Sequence, residues 1–237
     1  MKSIRIHSLI SGTLIVAVGS LLTACSKEST TVISFEVLVT GEPLEFGKPY
    51  PSPNGDGTYV INDFKLYVSN IQLISNSGST DFIETDSYHL LKFQEGNQFS
   101  FSLPIVPSGE YQKIKISIGV DEEGNFSKGY PGDLDPTNQM AWNWTQGYKF
   151  LLFEGLYSPE SIDQKIPLVY HLGFSENKKD LEFALDSSSE IQFAIEIDEL
   201  FNNPQLIDFH IYPRILFNKT HSALMSQNYA NSFIRLR

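Results

Sequence analysis

Apolar and polar positions alternate strictly along residues 32–40, with Ile33, Phe35, Val37 and Val39 on one side. Strand side chains repeat every second residue, so this pattern predicts a half-buried β-strand. Residues 59–74 alternate through Ile61, Phe64, Leu66 and Val68 and resume out of step at Ile71 and Leu73. The slip falls at Ser69-Asn70 and predicts a bulge in one long strand. The turn formers Asn76-Ser77-Gly78-Ser79 then imply that 82–93 returns as a hairpin partner. Shorter runs predict strands at 99–103, 111–120, 148–156, 166–174, 181–185, 191–197 and 206–212. Strands at this spacing predict an all-β chain folded as a single β-sandwich with long irregular loops. Ile197–Phe201 reads as one helical turn, and Ser222–Phe233 as a short C-terminal helix with Leu224, Tyr229 and Phe233 inward.

The first residues do not belong to this pattern. Lys2 and Arg5 precede an apolar run from Leu9 to Leu22, and Leu22-Thr23-Ala24-Cys25 fits a lipoprotein signal-peptidase site. The run is diluted by Ser11, Gly12, Thr13, Gly19 and Ser20 and is shorter than the roughly 20 residues a membrane span needs. The expected organisation is a signal peptide over 1–24, a lipidated tether over 25–31 starting at Cys25, and one domain over 32–237. Location in a bacterial cell envelope follows, periplasmic or at the outer membrane or cell surface, with the membrane reached through the lipid anchor. Lipidation commits the only cysteine, so neither a disulfide nor a thiolate metal site remains. Losing Lys2 and Arg5 makes a formal charge of −11 two units more negative, which argues against nucleic acid because phosphates would repel the protein.

Enzyme signatures are missing: there is no GxSxG elbow, HExxH, phosphate loop or GxGxxG, and the expectation is that the protein is not an enzyme. Four histidines stay with the domain, His89, His171, His210 and His221, none with a ligand neighbour at metal-binding spacing. His171 near a strand end and His221 in a loop before the last helix have the freer backbone. Asn54-Gly55-Asp56-Gly57 gathers oxygens as a calcium loop does, but it lacks the downstream glutamate, and a pair of turns is the simpler reading.

The stretch 119–155 is the most unusual, with Met140, Trp142 and Trp144 at every second position in polar, glycine-rich surroundings. Core packing is the ordinary use of paired tryptophans. Large aromatics held in a polar loop instead suggest a site. In the same stretch Asp121, Asn125, Asp133 and Asp135 offer hard oxygen ligands that suit calcium, and a solvated acidic loop explains them equally well.

The run Gly119-Val120-Asp121, Asn125, Asp133-Leu134-Asp135-Pro136, Met140-x-Trp142-x-Trp144, Gly147-Tyr148 and Glu154-Gly155 resembles the signature of the MbnP-like copper-binding proteins, named for methanobactin-associated members. Further matches are Phe64-x-x-Tyr67-x-Ser69-Asn70-Ile71, Tyr170-His171-Leu172-Gly173, and His221 with Asn228-Tyr229-Ala230. The resemblance implies a secreted or lipid-anchored β-sandwich that binds copper, with one tryptophan oxidised to kynurenine by a dihaem cytochrome c peroxidase-like partner. Carried over by position, it implies Trp142 as the modified residue with Trp144 second, and His171 and His221 as metal ligands; the thioether of Met140 is a further candidate because soft copper(I) prefers sulfur and imidazole to carboxylates. Ala141 departs from the pattern, since relatives usually carry an aromatic there. The competing expectation is a calcium-stabilised sandwich that binds a partner through its tryptophans. A hydrolase with an unrecognised site is a third, weaker reading.

Overall fold

The computed structural model describes residues 29–76, 80–93, 96–107, 110–126, 132–143, 145–186 and 190–237. The apolar leader, Cys25, most of the tether and Trp144 lie outside the described residues. In chain order the strands are β1 (Ser29–Val39), β2 (Glu42–Pro43), β3 (Tyr50–Pro51), β4 (Thr58–Ser75), β5 (Phe82–Ile83), β6 (Tyr88–Lys92), β7 (Gln98–Val106), β8 (Tyr111–Ile118), β9 (Ala141–Asn143), β10 (Gly147–Ser158), β11 (Ile166–Gly173), β12 (Lys179–Ala184), β13 (Glu190–Glu196), β14 (Arg214–Leu216) and β15 (Ile234–Leu236). The α-helices are α1 (Glu122–Phe126), α2 (Ile197–Asn202) and α3 (Lys219–Tyr229).

The strands form two sheets, as expected for an all-β sandwich. The smaller runs β15-β13-β1-β2 with β7 also on β1; the larger runs β12-β8-β4-β10-β11-β14, with β3, β5 and β6 along β4 and β9 on β10. Ile33, Phe35, Val37 and Val39 of β1 are all buried and join Ile61, Phe64, Leu66 and Val68 of β4 in the core between the sheets. The slip in β4 is real: its register shifts between Ser69 and Gln72, and Asn70 takes φ 54°. Asparagine tolerates that left-handed backbone better than most residues do.

The expected strand at 206–212 is a loop. Ile207 and Phe209 are buried as alternation requires, but Asp208 accepts the N–H groups of Ile211 and Tyr212 on its carbonyl and that of His210 on its side chain. These local bonds coil the backbone away from any ladder, and pairing resumes only at β14. The C-terminal helix begins earlier than expected, at Lys219, because the Asn218 side chain caps it by accepting the His221 N–H. Phe233 is buried beyond its end, and β15 then returns to pair with β13.

The position of the unusual stretch follows from register. Ile118 at the end of β8 lies opposite Val68 of β4, and Leu151 of β10 lies opposite Leu66. The chain between β8 and β10 therefore leaves the larger sheet where the two strands meet. It is forced out at Gly119, whose φ is +109° and where a Cβ would stand 2.5 Å from the Phe150 ring.

Candidate metal and modification site around Trp142

The segment that leaves at Gly119 covers a second apolar cluster, built from Tyr67, Leu90, Val120, Leu134, Met140, Tyr148, Phe150 and Leu152. Its polar residues fasten it down. Asp121 accepts from Tyr88 Oη, the Gly124 N–H and Asn70 Nδ2, at 2.9 Å in each case. Partial burial works against ionisation of Asp121, but the Gly124, Asn70 and Tyr88 donors outweigh it and hold its carboxyl below the usual range. Buried Asn125 accepts the Tyr148 N–H at 2.7 Å and donates to Ser175 Oγ at 3.1 Å. It stands so close to Gly147 (φ +75°) that a Cβ there would fall 2.1 Å from Asn125 Oδ1. Asp133 accepts the Leu90 N–H at 2.8 Å, and its carbonyl accepts from Tyr67 Oη at 2.6 Å. Asp135 caps the turn 136–138 by accepting the Thr137 N–H.

The four candidate calcium ligands are thus each engaged in hydrogen bonds within the protein, Asp121 and Asp133 both with β6, Asn125 with β10 and Asp135 with its own turn. Among the described residues, no group of three or more His, Cys, Asp or Glu side chains could hold a metal ion. These side chains act as anchors of the covering segment.

Met140 and Trp142 both turn toward the sheet. Met140 is fully buried in the second cluster, an apolar setting in which its thioether serves as packing. Trp142 lies over β11, where a Cβ at Gly173 would come within 2.8 Å of its benzo ring. Phe174 and Phe217 flank the indole at ring-centroid distances of 5.0 and 4.8 Å. Trp142 is half-buried, yet its Nε1 is buried with no hydrogen-bond partner, a cost a folded protein normally avoids. Both flanking phenylalanines have left-handed backbones, Phe174 at φ 71° and Phe217 at φ 50°. A bulky residue there stores about 1–3 kcal/mol of strain, and such strain concentrates at functional sites. Beside the indole a cleft of about 340 Å³ opens, lined by Asn125, Pro136, Ala141, Asn143, Gly147 and Tyr148. The small side chain of Ala141 leaves this space where an aromatic would reach into it.

His171 belongs to the same face, two residues before Gly173 on β11. Its Nε2 is 2.8 Å from Glu154 Oε1. Burial, aided by the charge of Lys149, pushes its pKa down against the pull of Glu154, so the ring is neutral at pH 7 and has a lone pair for a metal. His221 lies in the first turn of α3, its ring edge-on to Tyr212 at 5.0 Å, four residues after the Phe217 that stacks on Trp142. The other two histidines are engaged elsewhere: His89 stacks on Phe101 at 3.7 Å and meets Glu84, and His210 meets Asp56. Imidazole suits copper as a donor; the indole nitrogen of Trp142 has no free lone pair while its ring is intact, and buried Met140 lies apart in the apolar cluster. Phe174 and Phe217 escaped the sequence reading of the site, and Glu154 and Gly173 entered it only as motif residues without a role. The one local sign was the large apolar Phe217 beside the polar Asn218-Lys219-Thr220.

Fold and site define a two-sheet β-sandwich whose larger sheet carries a loop-covered aromatic centre bordered by a neutral histidine. The family model for MbnP matches residues 28–219, and the chain belongs to that family. Membership places it among methanobactin-associated, copper-related proteins. Among solved structures it is similar to MbnP from Methylosinus trichosporium, with TM-score 0.56 and 17% identity over 76% of this chain and 80% of that one, which is a likeness of fold. No curated protein matches.

Proposed function

We propose that the protein is a lipid-anchored, extracytoplasmic copper-binding protein acting in copper uptake or handling, without catalytic activity of its own. The observation that carries this reading is Trp142, an indole flanked by two phenylalanines with strained backbones and with a buried nitrogen that has no partner, beside neutral His171 in a member of a copper-related family. A dihaem cytochrome c peroxidase-like partner oxidises Trp142 with peroxide as the terminal oxidant: the indole C2–C3 bond breaks as two oxygen atoms enter, and hydrolysis then releases C2 as formate to leave kynurenine. Opening the five-membered ring would free that nitrogen as an aryl amine able to bind metal, with His171 and His221 as imidazole ligands. Two imidazoles with one amine suit soft copper(I) far better than the hard carboxylates of the covering segment do. Anchoring through Cys25 would keep the protein at a membrane surface, and among the described residues no helix is long and apolar enough to cross one.

The test is competitive copper(I) titration of protein from the native host. His171→Ala and His221→Ala should each weaken binding by about tenfold or more, as loss of a ligand does, while His89→Ala leaves it unchanged. Equal affinity in all three variants would overturn the proposed ligand set.

A further inference from the structure

At the other end of β10 from Trp142, three loops meet around Asp56. From Tyr148 to Tyr157 the strand advances roughly 30 Å at about 3.3 Å per residue, so this place is separate from the aromatic centre. The turn carrying Asp56 is pressed against the strand end: a Cβ at Gly57 (φ +77°) would stand 2.1 Å from the Ser158 carbonyl oxygen. Asp56 Oδ1 accepts the N–H groups of Glu160 (2.9 Å) and Ser161 (3.2 Å), and Oδ2 accepts from Ser161 Oγ at 2.6 Å. So oriented, Oδ2 lies 2.8 Å from His210 Nε2. The same nitrogen lies 2.9 Å from Tyr157 Oη, and that phenol donates to the Asp56 carbonyl at 2.7 Å. The side chains of Asp56 and His210 are 27% and 34% exposed, so an ion can reach them from solvent.

A neutral imidazole nitrogen carries either one proton or one lone pair, and Nε2 here faces two oxygens at once. Donors about 2.0–2.2 Å from a common transition-metal ion lie roughly 3 Å apart when they occupy neighbouring corners of its coordination sphere. The two separations at His210 fall at that spacing, and the Asp56 carbonyl stands at the edge of the group as a further oxygen. We propose that Asp56 Oδ2, Tyr157 Oη and His210 Nε2 form a binding site for a divalent transition-metal ion, distinct from the centre at Trp142. One imidazole among oxygens suits Zn²⁺ or another borderline divalent ion rather than copper(I). The Glu160 and Ser161 N–H groups fix the direction of the carboxylate, as outer partners of metal ligands commonly do.

The test is calorimetric titration of metal-free full-length protein with Zn²⁺, alongside its melting curve. Wild type should bind one equivalent and melt higher with zinc. His210→Ala and Tyr157→Phe should each weaken zinc binding by about tenfold or more, whereas His89→Ala should leave it unchanged. Tyr157→Phe keeps the ring that packs on Phe209, so its fold can be verified by circular dichroism before titration. X-ray absorption of the zinc complex should show one imidazole in an oxygen-rich shell. Absence of zinc binding by wild type, wild-type affinity in His210→Ala, or a shell with two imidazoles would overturn the proposal. The copper titration at His171 is scored independently, so either reading can fail alone.

Discussion

Phe217 combines three properties that a purely structural residue would not retain: it is 57% exposed, its backbone is left-handed, and its ring lies 4.8 Å from Trp142. Glycine would relieve the backbone strain and lose only a half-exposed stack. Phe217→Gly should therefore change unfolding free energy by no more than about 1 kcal/mol in a urea titration, while shifting indole emission to the red as the flank of Trp142 opens. A loss of about 3 kcal/mol or more with unchanged emission would make Phe217 a packing residue instead. Spacing alone indicated that Met140 and Trp142 would turn the same way, and both do face the sheet. The surroundings of Trp142 were not legible, because Phe174 and Phe217 come from strands and loops far along the chain. Residue type alone did not reveal what Asp121, Asn125, Asp133 and Asp135 are bonded to. Carboxylates and amides that can bind an ion can equally accept a backbone N–H, and here Leu90, Gly124, Thr137 and Tyr148 supply those N–H groups.

At the scale of elements, β11 couples the site to stability through His171. Its pKa in the fold lies below the ordinary 6.5, chiefly because it is buried. As pH falls through 6.5 the unfolded chain takes up the proton first, so the fold loses stability until the folded-state value is passed, and above 6.5 the contribution is fully retained. His171→Gln should flatten that part of the stability-against-pH curve measured by urea denaturation. Parallel curves for the variant and wild type would show that His171 does not titrate in this way. Local pattern exposed the elements themselves well: alternation located β1 and β8, and a one-residue slip located the bulge in β4. It failed at 206–212, where the same alternation is present but Asp208 offers the backbone closer partners than a neighbouring strand. Three-residue β14 and β15 carry too little pattern to be recognised before their partners β11 and β13 are in place.

At the scale of the molecule, β10 joins two ends with different donor chemistry. Near its start the covering segment, β11 and the approach to α3 surround Trp142 with aromatic rings and place a neutral imidazole on the same face. Near its finish three loops gather a carboxylate, a phenol and an imidazole. The sandwich between them is a rigid spacer, with its core residues almost wholly buried. The most direct test of the account is peptide mapping by mass spectrometry of protein taken from the native host, with a competent dihaem partner shown to be present. The peptide spanning Met140 to Tyr148 should carry kynurenine at Trp142, Trp142→Phe should abolish it, and Trp144→Phe should only slow its formation. Both indoles intact in that native peptide would contradict the assignment of Trp142 as the modified centre.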